Sequence, residues 1–303
     1  MEQNFETCLY NVIDASKVQK DEPMKKHTTF RIGGPADYFI MPSNEKELTA
    51  AVRVCREFSI PIYIVGNGSN LLVGDKGFRG AIIQLYKSMG TFQVEGNQIT
   101  AQAGCSLAQI ANAALDAALT GFEFAAGIPG TLGGAVVMNA GAYGGEMKDV
   151  LARVRVMTEE GEIMELPAEE LGLGYRTSII PEKRYIVLGA VISLTEGKKE
   201  EIKAQMDDLR QKRVSKQPLE YPSAGSTFKR PEGYFAGKLI QDSGLKGFTV
   251  GGAQVSEKHS GFVINKGNAT AADVMELIRQ VTAKVKEDTG VTMEPEVKQI
   301  GEF

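Results

Sequence analysis

The placement of glycine limits this chain more than any other feature of its sequence. It has 34 glycines in 303 residues, and two clusters interrupt otherwise regular sequence. The first, Gly66-Asn67-Gly68-Ser69-Asn70-Leu71-Leu72, follows directly on the apolar run Pro61-Ile62-Tyr63-Ile64-Val65. The second runs from Ala126 through Gly127, Ile128, Pro129, Gly130, Thr131, Gly133, Gly134, Asn139, Gly141 and Ala142 to Gly144. Glycine lets backbone turn sharply and come close to a ligand, and successive bare N–H groups form a nest suited to phosphate. The first cluster is not a Rossmann fingerprint, because Leu71 stands where a third glycine is required and no helix signature follows. It also lacks the GK[ST] ending of a P-loop. Taken alone it is equally well explained as a tight loop between strands. The second is too apolar for a flexible linker and too rich in glycine for an element core, and close packing between subdomains is its competing explanation. Two such loops, each following regular structure, together favour a dinucleotide.

The remaining composition narrows the class. A chain of 303 residues is long enough for two or more domains with sizeable cores. A net charge of −4 argues against a nucleic-acid partner, which demands a basic surface. Cys8, Cys55 and Cys105 are widely spaced, with no CxxC pair. They read as free thiols in a reducing compartment, neither a disulfide frame nor a zinc site. Only His27 and His259 exist, so His-based metal ligation is not expected. The N-terminal MEQNFETCLYNVIDASK has no secretory pattern and no apolar run reaches membrane-spanning length, so a cytoplasmic protein is expected.

Local patterns predict the elements. Residues 1–24 read as a polar helical arm. A helix near 44–58 opens on Asn44 with Glu47 three residues on, a capping-box pattern. Strands are predicted at 61–65, 81–85, 98–103, 153–158 and 185–194. A helix capped by Ser106 and Gln109 follows the third of these and stops at Gly121. The charged run Glu196-Gly197-Lys198-Lys199-Glu200 opens a helix over 200–213 and marks a domain boundary. A strand at 262–265 and a helix from Thr270 to Asp288, ended by Gly290, complete the chain. The expected organisation is an arm (1–24), a mixed domain (25–196) and a smaller α+β domain (197–303).

Three segments set isolated polar residues in apolar or glycine-rich surroundings. Arg176, in Gly174-Tyr175-Arg176-Thr177-Ser178, offers a permanent charge and a fixed fork for a carboxylate. Ser226 follows Gly225, where a hydroxyl can be held rigidly, but there is no GxSxG elbow. Glu296 follows a proline at the start of an apparent terminal strand. On the residues alone, a structural salt bridge, a turn serine and a surface carboxylate are the favoured explanations of these three.

A resemblance changes that balance. The GNGSNLL loop, then Asp75, Gly77, Phe78 and Gly80, then AGIPGTLGGAVVMNAGAYG, resemble the FAD-binding domain of the vanillyl-alcohol-oxidase type. Within it they are similar to the UDP-N-acetylenolpyruvoylglucosamine reductases, over nearly the whole chain from HTTFRIGG to the C-terminal PEV. The resemblance implies an α+β fold: a two-subdomain FAD-binding domain plus a smaller C-terminal α+β substrate domain. It implies that Gly66, Asn67, Gly68, Ser69, Asn70 and Leu71 wrap the FAD pyrophosphate. Ile128, Pro129, Gly130, Thr131, Gly133, Gly134, Asn139, Gly141 and Ala142 would lie along the rest of the cofactor. Covalent attachment through His or Cys occurs in the broader class, but no matching histidine stands in the second loop, so noncovalent FAD is expected.

The same resemblance makes Arg176, Ser226 and Glu296 the catalytic set. NADPH would reduce the flavin, and hydride would pass from flavin N5 to the enolpyruvyl double bond of UDP-N-acetylglucosamine enolpyruvate. Arg176 and Glu296 would stabilise the enolate-like species, and Ser226 would protonate the carbanion. The outcome is UDP-N-acetylmuramate for the cell wall. Lys216, in Lys216-Gln217-Pro218, and Arg230 would meet the UDP end, although charge patterning explains Lys216 equally as part of an exposed basic run. The segment from Lys216 to Ser226 is short and Arg230 stands where the longer branch carries asparagine, so the chain is similar to the shorter branch (type II). A monomer without metal is expected. Two other readings remain open: an oxidase of alcohols or sugars on the same flavin fold, and a silent nucleotide-sugar-binding protein whose glycine loops are mere packing.

Overall fold

The computed structural model describes residues 4–303, so the first three residues of the expected arm lie outside the described residues. The chain forms two compact units, neither of them continuous in sequence. One comprises Met1–Gln19, Phe39–Asn67 and Ala81–Arg213; the other comprises Lys20–Tyr38, Gly68–Gly80 and Val214–Phe303. This differs from the contiguous division at 24/25 and 196/197. The helix Lys199–Lys216 stays with the first unit as far as Arg213, and two early segments pack with the C-terminal part.

Long-range pairing within the second unit is the cause. The strand Lys298–Ile300 runs parallel to Leu71–Val73, in register from Lys298↔Leu71 to Ile300↔Val73. The Asp75 carboxylate accepts from the Ala271 and Ala272 N–H groups at 2.8 and 2.9 Å, at the start of the helix Ala271–Thr289. A carboxylate suits that place, where unpaired N–H groups and the positive end of the dipole coincide. The four-stranded antiparallel sheet of this unit runs Ser223–Ser226, Phe262–Asn265, Ala253–Val255, Thr249–Val250. Against it the long helix buries Val274, Leu277, Ile278, Val281 and Val285, in a core shared with Phe30, Leu72, Phe228 and Val297. Each such side chain contributes on the order of 1.5–3 kcal/mol of burial. Gly290, at φ +75°, ends the helix in the left-handed region.

The first unit is built on a five-stranded antiparallel sheet in the order Ile163–Pro167, Leu151–Met157, Ile186–Ser193, Gln98–Gln102, Phe92–Glu95. The helix Leu107–Asp116 opens on the expected Ser106–Gln109 capping box and buries Leu107, Ile110, Ala111 and Ala114. It ends before Gly121: Ala118 takes the left-handed conformation at φ +54°, and the strand Leu119–Thr120 intervenes. The helix Glu45–Glu57 is capped by Asn44, but the Glu47 carboxylate accepts from Ser43 N–H one residue outside the expected box. Ile62–Val65 pairs in parallel with the chain from Ala81 to Gln84.

The expected helical arm over 1–24 is corrected. Among its described residues only Phe5–Tyr10 is α-helical, Ala15–Lys17 is a single 3-10 turn, and Val18–Pro23 is a strand beside Pro35–Ile40. Its polar residues hide the alternation that would have revealed a strand, and the pairing partner lies further along the chain. Among the described residues no helix is long and apolar enough to cross a membrane.

Candidate active site

The strand Ile62–Val65 delivers the chain into the first glycine loop. The backbone N–H groups of Gly66, Asn67, Gly68 and Ser69 donate to no acceptor among the described residues. Four consecutive unengaged donors are the chemistry a diphosphate requires, so this donor set fits the FAD pyrophosphate. Gly68 cannot be replaced: at φ +60°, a Cβ there would sit 2.1 Å from the His27 carbonyl oxygen.

Gly66 and Asn67 also touch the second glycine segment. A Cβ on Gly66 would lie 2.2 Å from Thr131 Oγ1, and Asn67 Nδ2 donates to Pro129 O at 2.6 Å. The second segment is seated from behind by Leu107 N–H to Gly130 O, Leu132 N–H to Cys105 O and Gly133 N–H to Ala103 O. Pro129 and Gly134 are exposed; Ile128, Gly130, Gly141 and Ala142 are half-buried.

Four residues expected along the cofactor turn inward instead, among them Thr131, 3% exposed and packed against Gly66. Leu71 is 3% exposed within a strand, Gly133 packs on Ala103 with room for no Cβ, and Asn139 is fully enclosed. Their side-chain positions face protein because the elements around them need that space.

Arg176 sits in the first unit on a tight turn. Gly174 and Thr177 exchange both backbone hydrogen bonds, and Arg176 itself takes φ +56°. The turn is pinned on both sides to the second glycine segment. Asn139 Nδ2 donates to Gly174 O at 3.0 Å, and Ser178 Oγ donates to Val137 O at 2.6 Å. Arg176 Nη2 reaches Gly141 O at 3.4 Å, and the guanidinium lies over the exposed Tyr175 ring. Glu146 is close enough for the Arg176 charge to act on it. Its carboxyl is held below the usual range first by the hydrogen bond from Lys148, against the opposing effect of desolvation, and then by the hydrogen bond from Asn139 and the charges of Lys148 and Arg176.

Ser226 and Glu296 are brought together in the second unit. Ser226 ends its strand opposite Phe262, after Gly225 at φ +76°. Glu296 N–H donates to Thr227 O at 2.7 Å, Lys229 N–H donates to Glu294 O at 2.8 Å, and Phe228 bridges Pro295. Ser226 and Glu296 therefore stand on neighbouring backbones. Asn70, from the first glycine loop, donates its side-chain amide to Glu296 O at 3.3 Å and accepts Lys298 N–H at 3.0 Å. Ser226 is exposed and Glu296 half-buried.

Lys216 closes its helix and is exposed. Arg230, also exposed, stacks 4.0 Å above the Phe235 ring centroid and donates Nε–H to Tyr234 O at 3.1 Å. Arg213 escaped the sequence reading. It is half-buried with its stem and Nη1 against the bare Cα of Gly127, where a Cβ would come within 3.3 Å of Cδ. Burial pulls its pKa down, partly offset by Tyr143. A lone arginine on a charged helix carries no local signal; only the missing side chain at Gly127 hinted at a neighbour. Among the described residues no group of three or more His, Cys, Asp or Glu side chains is placed to hold a metal ion.

Comparison with known proteins shows the family. The profile of the UDP-N-acetylenolpyruvoylglucosamine reductase C-terminal domain matches residues 217–300, and that of an FAD binding domain matches residues 36–167. A UDP-N-acetylenolpyruvoylglucosamine reductase of Agathobacter rectalis is 55% identical, with 100% of both chains covered. One from Caldanaerobacter subterraneus subsp. tengcongensis is 56% identical over 97% of each. The crystal structure of the Thermus caldophilus enzyme superposes with a TM-score of 0.82 at 38% identity, covering 94% of this chain and 99% of that one.

Proposed function

Because this chain belongs to the UDP-N-acetylenolpyruvoylglucosamine reductase family of FAD oxidoreductases, we propose that it reduces the enolpyruvyl group of UDP-N-acetylglucosamine enolpyruvate to give UDP-N-acetylmuramate. NADPH is the electron donor in this reading, FAD is held noncovalently, and the enzyme works as a cytoplasmic monomer. We also assign cofactor binding to 25–196 and substrate binding to 197–303. Bound FAD supplies hydride transfer between the nicotinamide and the enolpyruvyl double bond.

The residues of this chain do the rest. The N–H groups of Gly66 to Ser69 would hold the diphosphate, with Asn70 and the exposed parts of residues 128–142 along the remainder. Arg176 pairs with the substrate carboxylate, whose charge grows as hydride arrives on the methylene carbon. Its fixed fork favours that planar, delocalised anion over the ground state. Glu296, protonated, donates a hydrogen bond to the same anion. Ser226 Oγ–H then gives its proton to the carbanion; a hydroxyl serves only because the acceptor is strongly basic. Lys216 and Arg230 are proposed to take the UDP diphosphate.

The backbone hydrogen bond from Glu296 N–H to Thr227 O, beside Ser226 at the end of its strand, is the observation that supports this reading. Anaerobic stopped-flow spectroscopy tests it. Flavin bleached by NADPH should recover its oxidised spectrum on adding the enolpyruvyl substrate. Ser226→Ala should slow that recovery by about 10²–10⁴-fold while leaving bleaching within a few-fold. Equal loss in both halves removes Ser226 from its role, and no recovery in the unaltered protein removes the function.

A further inference from the structure

Three non-glycine residues in the left-handed region gather around the second glycine segment of the first unit: Asn139 at φ +44°, Tyr143 at φ +53° and Arg176 at φ +56°. Such conformations cost on the order of 1–3 kcal/mol each and persist only where the surroundings over-determine them. At Arg176 the surroundings are specific. The turn that carries it is fastened at Gly174 by Asn139 and at Ser178 by the Val137 carbonyl.

Asn139 is 0% exposed and every polar function of its side chain is engaged. Its amide donates to Glu146 Oε2 at 2.8 Å and to Gly174 O at 3.0 Å, and its carbonyl oxygen accepts Lys148 N–H at 2.9 Å. One residue thus joins three things: the turn of Arg176, the carboxylate on which the Arg176 charge acts, and the backbone that carries Lys148. An amide is the smallest group that can donate to two oxygens while accepting from an N–H. Asparagine also tolerates the left-handed region better than other non-glycine residues.

We propose that Asn139 is a positioning residue for Arg176, fixing the guanidinium relative to the glycine loop and not contacting the cofactor itself. The inference rests on the assignment of Arg176 to the substrate carboxylate. Misplacing a charge-stabilising group by about 1 Å costs on the order of 10²-fold in rate, so the role has a measurable size.

Asn139→Gly is the cleanest perturbation. Glycine accepts φ +44° without strain, so the change removes the three side-chain hydrogen bonds and the small enclosed volume of the side chain and adds no backbone strain. In the flavin-loaded protein, bleaching by NADPH should stay within a few-fold and flavin recovery with the enolpyruvyl substrate should fall about 10²-fold. Arg176→Ala is measured beside it. If Arg176→Ala leaves recovery intact, the assignment of Arg176 fails; if it slows recovery and Asn139→Gly does not, only the positioning role fails.

A double-variant cycle separates positioning from general loosening. Asn139→Gly added to Arg176→Ala should cost under threefold more, because the group being positioned is gone. A full further 10²-fold loss would overturn the proposal. Should Asn139→Gly fail to hold flavin, Ser178→Ala, which releases the other end of the same turn, must reproduce the selective loss and the non-additivity; a loss shared equally by both halves refutes the idea.

Discussion

Gly134 offers a test in which two measurements should move in opposite directions. It lies in the short helix Leu132–Val137, is exposed, and is not in the left-handed region. A Cβ built there meets only Thr131 Oγ1, at 3.7 Å, an ordinary contact. Gly134→Ala therefore introduces no clash with protein. Alanine is favoured over glycine inside a helix by about 0.8–1 kcal/mol, and nearly that much should appear as added stability of the flavin-free protein. If the cofactor lies against this segment, the same methyl displaces it, and overpacking of a close contact costs about 1–3 kcal/mol. That is roughly 5- to 150-fold in affinity. Denaturation of the apoprotein should show the gain, and flavin fluorescence titration should show the loss. Unchanged or tighter FAD binding with the apoprotein stabilised would mean that nothing rests on Gly134, and the assignment of the second segment would fail there.

Other perturbations follow from the second unit. Asp75→Ala removes a carboxylate that two N–H groups of the helix Ala271–Thr289 share, and should cost about 0.5–2 kcal/mol in urea denaturation; no change would mean that water replaces it without penalty. Asp273 has its pKa lowered, first by the Thr270 N–H, then also by Gly252 N–H and the Thr270 hydroxyl, against a desolvation effect. A depressed folded pKa stabilises above the unfolded value of 3.8, and the contribution disappears as pH falls through the folded value. Asp273→Asn should therefore be less stable than the unaltered protein at pH 6, with the gap closing in acid; a gap independent of pH contradicts the linkage.

Much of this architecture was legible locally. The Ser106–Gln109 box, the stripe Val274-Leu277-Ile278-Val281-Val285 and the stop at Gly290 are short-range patterns and stand where periodicity put them. What periodicity could not carry is partnership at a distance. Leu71–Val73 reads as the tail of a glycine loop, and becomes a strand only because Lys298–Ile300 lies beside it. The polar strand Val18–Pro23 was hidden for the same reason. In the candidate site, the glycines showed where backbone is bare, and resemblance supplied Arg176, Ser226 and Glu296. Neither distinguishes a residue facing a ligand from one facing protein. Asn139 was thus grouped with the cofactor contacts, although enclosure and three internal hydrogen bonds give it other partners.

The interleaving of the two units also bears on how the polypeptide comes off the ribosome. Segments 20–38 and 68–80 belong with 214–303, so they emerge long before the strands and helix that will cover them exist. At ordinary rates of synthesis that interval is on the order of ten seconds. Phe30, Ile32 and Leu72, all destined for one core, must stay soluble throughout without their partners. The parallel partner of Leu71–Val73 exists only once Lys298–Ile300 has been made, so that pairing cannot form until about 225 further residues have followed it out of the ribosome.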